Sequence, residues 1–259
     1  MAAAALKRGT YFLGHMLRET GQALERMGAR SMGQFYCAEP LDRHRQIMNL
    51  LFKSPIISSN GVFLAPCASL TGSVSVGSGS SVWYGATVRG DDAPVLIGEE
   101  TNIQDGVSVF AKNLDRKYQN VPIPTIIGDR VTIGHGAVVN NAVLESDCLI
   151  GMGAVIGVGS KICSNSIVAA GSVIPSFATV PSGELWAGVP AVFKKKLSDS
   201  EIKSIQTRAR DYKKLAKVHL DDIRRTPEQI RAETLGESRM AYDEELKAAL
   251  KEHRPEAST

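Results

Sequence analysis

The chain has 259 residues, 43% of them hydrophobic and 22% charged, enough for one sizeable core with appendages. No stretch approaches the roughly 18 uninterrupted apolar residues of a membrane span, so membrane contact is expected only at a surface or through partners. The formal net charge of +3 is concentrated before residue 54, and the Lys194-Lys195-Lys196 run is short and lacks the interleaved aromatics of a nucleic-acid surface. Cys37, Cys67, Cys148 and Cys163 form neither a CxxC pair nor a disulfide framework, so buried thiols in a reducing compartment are expected.

Residues 1–53 read as an N-terminal helix and extension. Leu6, Leu13, Leu17 and Leu24, flanked by Phe12, Met16 and Met27, trace one helical stripe opposite Lys7, Arg8, Arg18 and Arg26, the pattern of a basic amphipathic helix. No acidic residue precedes Glu19, as in organelle-targeting segments. Three roles stay open for the stripe: docking on a membrane surface or a partner, a targeting segment removed after import, and packing on the chain's own core.

Residues 54–197 carry aliphatics at every sixth position: Leu64, Leu70, Val76, Val82 and Val88, then Leu144, Ile150, Ile156, Ile162, Val168, Ile174 and Val180. Ile97, Ile103 and Val109, and Ile127, Ile133 and Val139, continue the period with small breaks of register. Neither a helix nor an ordinary strand has this period, whereas a solenoid with short straight sides puts one aliphatic inward on each side. A triangular parallel β-helix is expected, mainly β in class, with Gly77, Gly98, Gly128, Gly134, Gly151 and Gly171 marking corners that require positive backbone angles. The stretch from Ala111 to Pro124 breaks the period and is expected to leave the coil as a loop, either functional or a tolerated insertion.

Residues 198–259 begin with Ser198 and Glu201 in a capping-box pattern. Ile202, Ile205, Ala209, Tyr212 and Leu215 then repeat at helical spacing, so this helix is expected to lie along the β-helix. Beyond Thr226 the sequence is charged, and only Leu246 and Leu250 suggest another short helix.

Several motifs within the repeat are specific: Trp83-Tyr84-Gly85 running into Arg89-Gly90-Asp91, Asn102-Ile103-Gln104-Asp105, Thr132-Ile133-Gly134-His135, Ile150 to Ala154, and Pro181 to Glu184 leading to Gly188-Val189-Pro190-Ala191. With these, Pro55 to Leu197 resembles the gamma-class carbonic anhydrases, a family of trimeric left-handed β-helices with zinc at subunit interfaces. Arg18 to Leu24 and Arg43-His44-Arg45 resemble the N-terminal extension of the mitochondrial members that belong to respiratory complex I in plants and algae. The last forty or so residues match no feature of the family.

The resemblance implies a zinc site of three imidazoles, two from one subunit and the middle one donated across the interface. The corresponding positions here are Phe110, His135 and Asn140. A phenyl ring cannot ligate, an asparagine amide is a poor zinc donor, and His15, His44, His219 and His253 lie in flanking segments where they are not expected to reach the core. No zinc is therefore expected in a trimer of this chain alone, and no water brought to a pKa near 7. His135 either completes a partner's site in a mixed trimer or is a satisfied core histidine. By the same resemblance Arg89 and Asp91 match inter-subunit ion-pair positions, Asn102 belongs to the motif that counts off the first ligand, and Gln104 and Asp105 match positions near the metal-bound water. Tyr212 matches a tyrosine near the site, although its place on the helical stripe also suits packing.

Three functions follow. The first is a structural or assembly subunit of a heterotrimeric gamma-carbonic-anhydrase module on the matrix side of the mitochondrial inner membrane. It would have two related subunits, membrane-arm subunits of complex I and inner-membrane lipid as partners, and no nucleic acid. The second is a hexapeptide acyltransferase using acyl-coenzyme A with His135 as general base. The third is a carbonic anhydrase active by itself, against which Phe110 and Asn140 stand.

Overall fold

A computed structural model describes residues 2–32, 44–50, 53–111 and 123–225. The expected loop between Ala111 and Pro124 falls almost wholly outside the described residues, as do Cys37, His253 and the segment holding Leu246 and Leu250. The chain forms two compact units, Met1–His44 and Arg45–Thr259.

The first unit contains the helix α1, Ala2–Met32. Its predicted stripe is solvent-facing: Phe12, Leu13, Met16, Leu17, Leu24 and Met27 are all between 58% and 68% exposed. The side chain of Leu6 lies outside the described residues. No described helix is long and apolar enough to cross a membrane.

The second unit is a parallel β-solenoid of about seven turns. Its strands are mostly two or three residues long and stack into three sides. On the first side Leu64, Val82, Ile103, Ile133, Ile150 and Val168 lie in register, one per turn. The second side aligns Leu70, Val88, Val109, Val139, Ile156 and Ile174. The third aligns Val76, Ile97, Ile127, Leu144, Ile162 and Val180. These are the aliphatics of the six-residue period, and nearly all are fully buried. The four or so residues between consecutive short sides turn the chain, and the next aliphatic again faces inward.

The glycines play a different part from the one the sequence suggests. Of the six marked as corners, only Gly171 has a positive φ. Gly98 lies where the coil above comes close, and a Cβ there would meet Asp129 Oδ1 and, at 2.6 Å, the carbonyl carbon of Gly128. It is glycine for lack of room. The left-handed corner stands two residues later and tolerates side chains: Glu100, Arg130, Asp147 and Asn165 occupy it with φ of 53–59°, in one column with Gly61 and Gly79. The amide of each of Gly79, Glu100, Arg130 and Asp147 donates to the turn beneath it, which fixes the column. Arg130 and Asp147 also close a two-bonded pair, both contacts 2.8 Å, along that edge.

The coil begins earlier than the boundary at residue 54. Ile47 and Met48 pair with Leu70 and Thr71, and Gln46 Nε2 donates to the carbonyls of Leu64 and Ala65, each at 2.8 Å. The first full turn has no neighbour below it to satisfy these groups, and residues 46–48 supply the missing partners.

After the coil, α2 spans Asp199–Ile223 with Ser198 as its N-cap and the expected capping box complete. It packs along the first side of the solenoid through buried Ile205, Ala209 and Ala216. Leu215, placed on the stripe by spacing, is 45% exposed, and Ala216 takes the buried position. Close approach of helix to sheet favours the smaller side chain.

Changing Gly98 to Ala is expected to cost about 1–3 kcal/mol through overpacking, whereas Gly61→Asn, with open space and a backbone angle that Asn accepts, is expected to stay within about 0.5 kcal/mol. Urea unfolding of both variants checks this, and equal effects would contradict the distinction.

Candidate functional site

The site is built on one corner of the solenoid. At the end of the first side, each turn passes through a residue that projects outward and a glycine in the left-handed conformation: Tyr84-Gly85, Asp105-Gly106, His135-Gly136, Met152-Gly153 and Ala170-Gly171. The amides of Gly106, Gly136, Gly153 and Gly171 donate to the carbonyls of Tyr84, Asp105, His135 and Met152, at 2.8–2.9 Å. The projecting residues therefore form a ridge, spaced about 4.8 Å apart as in any parallel sheet.

Three of them are joined by polar contacts. His135 Nδ1 lies 3.1 Å from Asp105 Oδ2, and Asp105 Oδ1 accepts the backbone N–H of Tyr84 at 3.0 Å. With Nδ1 against a carboxylate, Nε2 is the nitrogen that His135 offers outward, the arrangement of a ligand or base whose tautomer is fixed by a second group. The imidazole is 44% exposed. Below the ridge, Asn102 Nδ2 donates to Thr132 Oγ1 at 2.9 Å and Gln104 Nε2 to Asn102 Oδ1 at 3.3 Å, all three side chains being buried. A cavity of about 360 Å³ opens between this corner and α2, with Gln104, Thr132, His135, Arg208 and Tyr212 as polar lining.

His219 belongs to the same corner, contrary to the expectation that it stays in a flanking segment. Its Nδ1 lies 2.9 Å from the Tyr84 hydroxyl, and its ring packs 5.0 Å from Trp83 and 5.8 Å from Phe63. Tyr212 meets Trp83 edge-on at 5.8 Å, so it serves packing as well as lining the cavity. The Tyr84 phenol is pushed above its ordinary value, first by burial and then by the charges of Cys67, Asp222 and Asp105.

Phe110 and Asn140 lie elsewhere, at the far end of the second side. They are register partners on adjacent strands, and Arg89 is the next residue in the same row. Arg89 pairs with Asp91 within the chain. Asn140 is five residues beyond His135, up to roughly 16 Å of extended chain. Two side chains lie in that row and the third at another corner. A benzyl ring and a carboxamide do not supply the nitrogen donors zinc needs. Among the described residues no three His, Cys, Asp or Glu side chains converge to hold a metal. The described residues of one chain do not fit a zinc ion. Two acceptors near this row, Asp91 Oδ1 and Asn140 Oδ1, are shielded from solvent and receive no hydrogen bond, a condition that costs about 1–3 kcal/mol for each group.

No family model matches the chain. It is 46% identical over 242 residues to gamma carbonic anhydrase 3, mitochondrial, of Arabidopsis thaliana, covering 93% of this chain and 92% of that protein. It is 41% identical over 230 residues to gamma carbonic anhydrase 2, mitochondrial, of the same plant, covering 88% and 81%. The chain belongs to the gamma carbonic anhydrase family. Among solved structures, the hexapeptide transferase family protein of Anaplasma phagocytophilum superposes with a TM-score of 0.61 at 34% identity, covering 66% of this chain and 96% of that one. The family and the solenoid fold thus agree, with Phe110 and Asn140 in the row described above.

Tyr84→Phe removes the contact to His219 and is expected to cost about 1 kcal/mol, while leaving the coil intact. Because burial raises the folded-state value, the phenol's contribution is fully present below the ordinary tyrosine value near 10.0 and is lost as pH rises from there through the raised folded-state value. Ultraviolet titration of tyrosinate should show a late-titrating phenol that disappears in the variant; an unchanged alkaline profile would contradict this.

Proposed function

We propose that this chain is an architectural subunit of a mixed gamma-carbonic-anhydrase trimer, attached to respiratory complex I on the matrix side of the mitochondrial inner membrane. The observation that carries the reading is the register pair Phe110–Asn140. At two of the three ligand positions of a family that holds zinc between subunits, this chain has no usable donor. It keeps the third, His135, on an exposed ridge with Asp105 behind it.

The mitochondrial relatives support the compartment, and their number in one plant supports a trimer of unlike subunits. In such a trimer the 110/140 row of one subunit faces the 135 corner of the next. His135 then serves a neighbour that retains its own pair of imidazoles. Zinc bound there supplies a Lewis acid that acidifies bound water. What this chain contributes is one oriented nitrogen and a rigid three-sided scaffold. The exposed stripe of Leu13, Leu17 and Leu24, with Leu6 extending it in sequence, docks on membrane-arm subunits or inner-membrane lipid.

A second reading has one specific observation behind it. His135 oriented by Asp105 is also the arrangement of a general base, and the Anaplasma protein is a hexapeptide transferase family protein. Tight binding of coenzyme A by the purified chain would favour an acyltransferase.

Elemental analysis of the trimer formed by this chain alone is expected to find no zinc, and Phe110→His combined with Asn140→His is expected to acquire it. Zinc in the unmodified trimer would overturn the architectural reading. Deletion of residues 1–30 is expected to release the trimer from the membrane complex without unfolding it, and unchanged association would end the docking assignment.

A further inference from the structure

We infer that the cavity of about 360 Å³ between α2 and the ridge is a binding site for a short-chain organic carboxylate, with Arg208 and Tyr212 holding the head group and Leu149 and Ile167 the hydrocarbon. Every group involved belongs to one chain, so the inference stands apart from the trimer reading and from any zinc.

The floor of the cavity is an outward row on the first side of the solenoid. Asn102, Thr132, Leu149 and Ile167 are register partners on successive turns, so the row changes from polar to apolar along its length. At about 4.8 Å per turn, Thr132 and Ile167 stand roughly 10 Å apart. The lower turns of this side are covered by α2, whereas Leu149 and Ile167 are only half-buried. The volume is at the small end of sites that hold small molecules.

The polar end of the row is set by its own hydrogen bonds. Thr132 Oγ1 accepts from Asn102 Nδ2 at 2.9 Å, so the hydroxyl proton is what Thr132 has left for a ligand. Gln104 Nε2 donates to Asn102 Oδ1 at 3.3 Å, which leaves Oε1 as an acceptor. Thr132 is 2% exposed and Gln104 4%, so neither group is free to turn toward bulk water.

The charge comes from α2. Arg208 and Tyr212 are four residues apart and share a helix face. Among the described residues no Asp or Glu side chain lines the cavity, Arg208 has no carboxylate partner, and the Tyr212 hydroxyl makes no hydrogen bond. A guanidinium lining an otherwise uncharged, largely apolar cavity calls for an anion, and its planar fork matches a carboxylate through two parallel hydrogen bonds. The apolar strip beside it favours an alkyl chain over a bare inorganic anion. A 2-hydroxy carboxylate with a short alkyl chain has a group for each feature, its hydroxyl donating to Gln104 Oε1.

The test is isothermal titration calorimetry on the full-length, metal-depleted protein with acetate, hexanoate, 2-hydroxyhexanoate and hexanamide. Hexanoate is expected to bind roughly tenfold tighter than acetate, because its added methylenes leave water, and hexanamide roughly tenfold weaker than hexanoate, because it lacks the charge. Arg208→Gln is expected to weaken hexanoate roughly tenfold and leave hexanamide unchanged, Arg208→Lys to restore part of that loss, and Tyr212→Phe to weaken hexanoate severalfold. The 2-hydroxy compound is expected to bind tighter than hexanoate, and equal affinity would overturn the assignment of Gln104. No saturable binding of hexanoate at millimolar concentration, equal binding of acetate and hexanoate, or an Arg208→Gln protein that binds like the unmodified one would overturn the site while leaving the trimer reading in place. Binding that appears only after zinc is added would overturn it in favour of a metal-held anion. Arg208 is exposed, so its replacement removes no buried contact; far-ultraviolet circular dichroism checks folding, and Tyr212→Phe, which keeps the packing on Trp83, tests the same head group independently.

Discussion

The hydrogen-bond ladder between successive turns governs everything else in the solenoid. Every turn donates its amides to the turn next to it, and each side admits one inward aliphatic. The spacing of about 4.8 Å between turns is imposed by the peptide and not by the side chains. Whatever sits at a given place on one turn must therefore stack on its counterparts above and below. Inward, that requirement gives three columns of Val, Ile and Leu. Outward, it gives rows, and chemistry in such a fold is a property of rows. The ridge of Tyr84, Asp105, His135 and Met152 is one, and the line of Arg89, Phe110 and Asn140 is another.

A row also sets what one chain can and cannot do. Neighbours in a row are close enough for hydrogen bonding, as His135 and Asp105 are. Residues in different rows are separated by a side of the triangle, whatever their distance in sequence. His135 and Asn140 are five positions apart and still belong to different surfaces.

The inward columns were legible in the sequence almost residue by residue, because a six-residue period points to a solenoid and nearly every aliphatic in it is buried. Corner conformation was not. The period marks Gly77, Gly98 and Gly128, but their meaning is close approach of backbones, and the left-handed residue two places on is as often Glu100, Arg130 or Asp147. Glycine frequency alone does not separate those two demands. The start of the coil was also hidden, since Gln46 to Met48 joins the first turn by hydrogen bonds that no repeat announces. His219 was missed for another reason. Its contacts with Tyr84 and Trp83 depend on the angle at which α2 lies against the sheet, and a helical stripe gives the buried face without giving the partner.

The positions that decide function are those the ladder leaves free. Phe110 and Asn140 face outward from strands whose inward residues, Val109 and Val139, are completely buried. A change of side chain at either position does not touch the core, so the inward packing does not dictate what stands there. Arg89 and Asp91, in contrast, form a charged pair through Asp91 Oδ2, while Asp91 Oδ1 is shielded and without a hydrogen bond. The ladder therefore separates two kinds of residue. Inward positions are fixed by packing between turns, and outward ones such as Phe110, Asn140 and His135 can change without disturbing the buried columns, so the chemistry of a row is set independently of the fold that presents it.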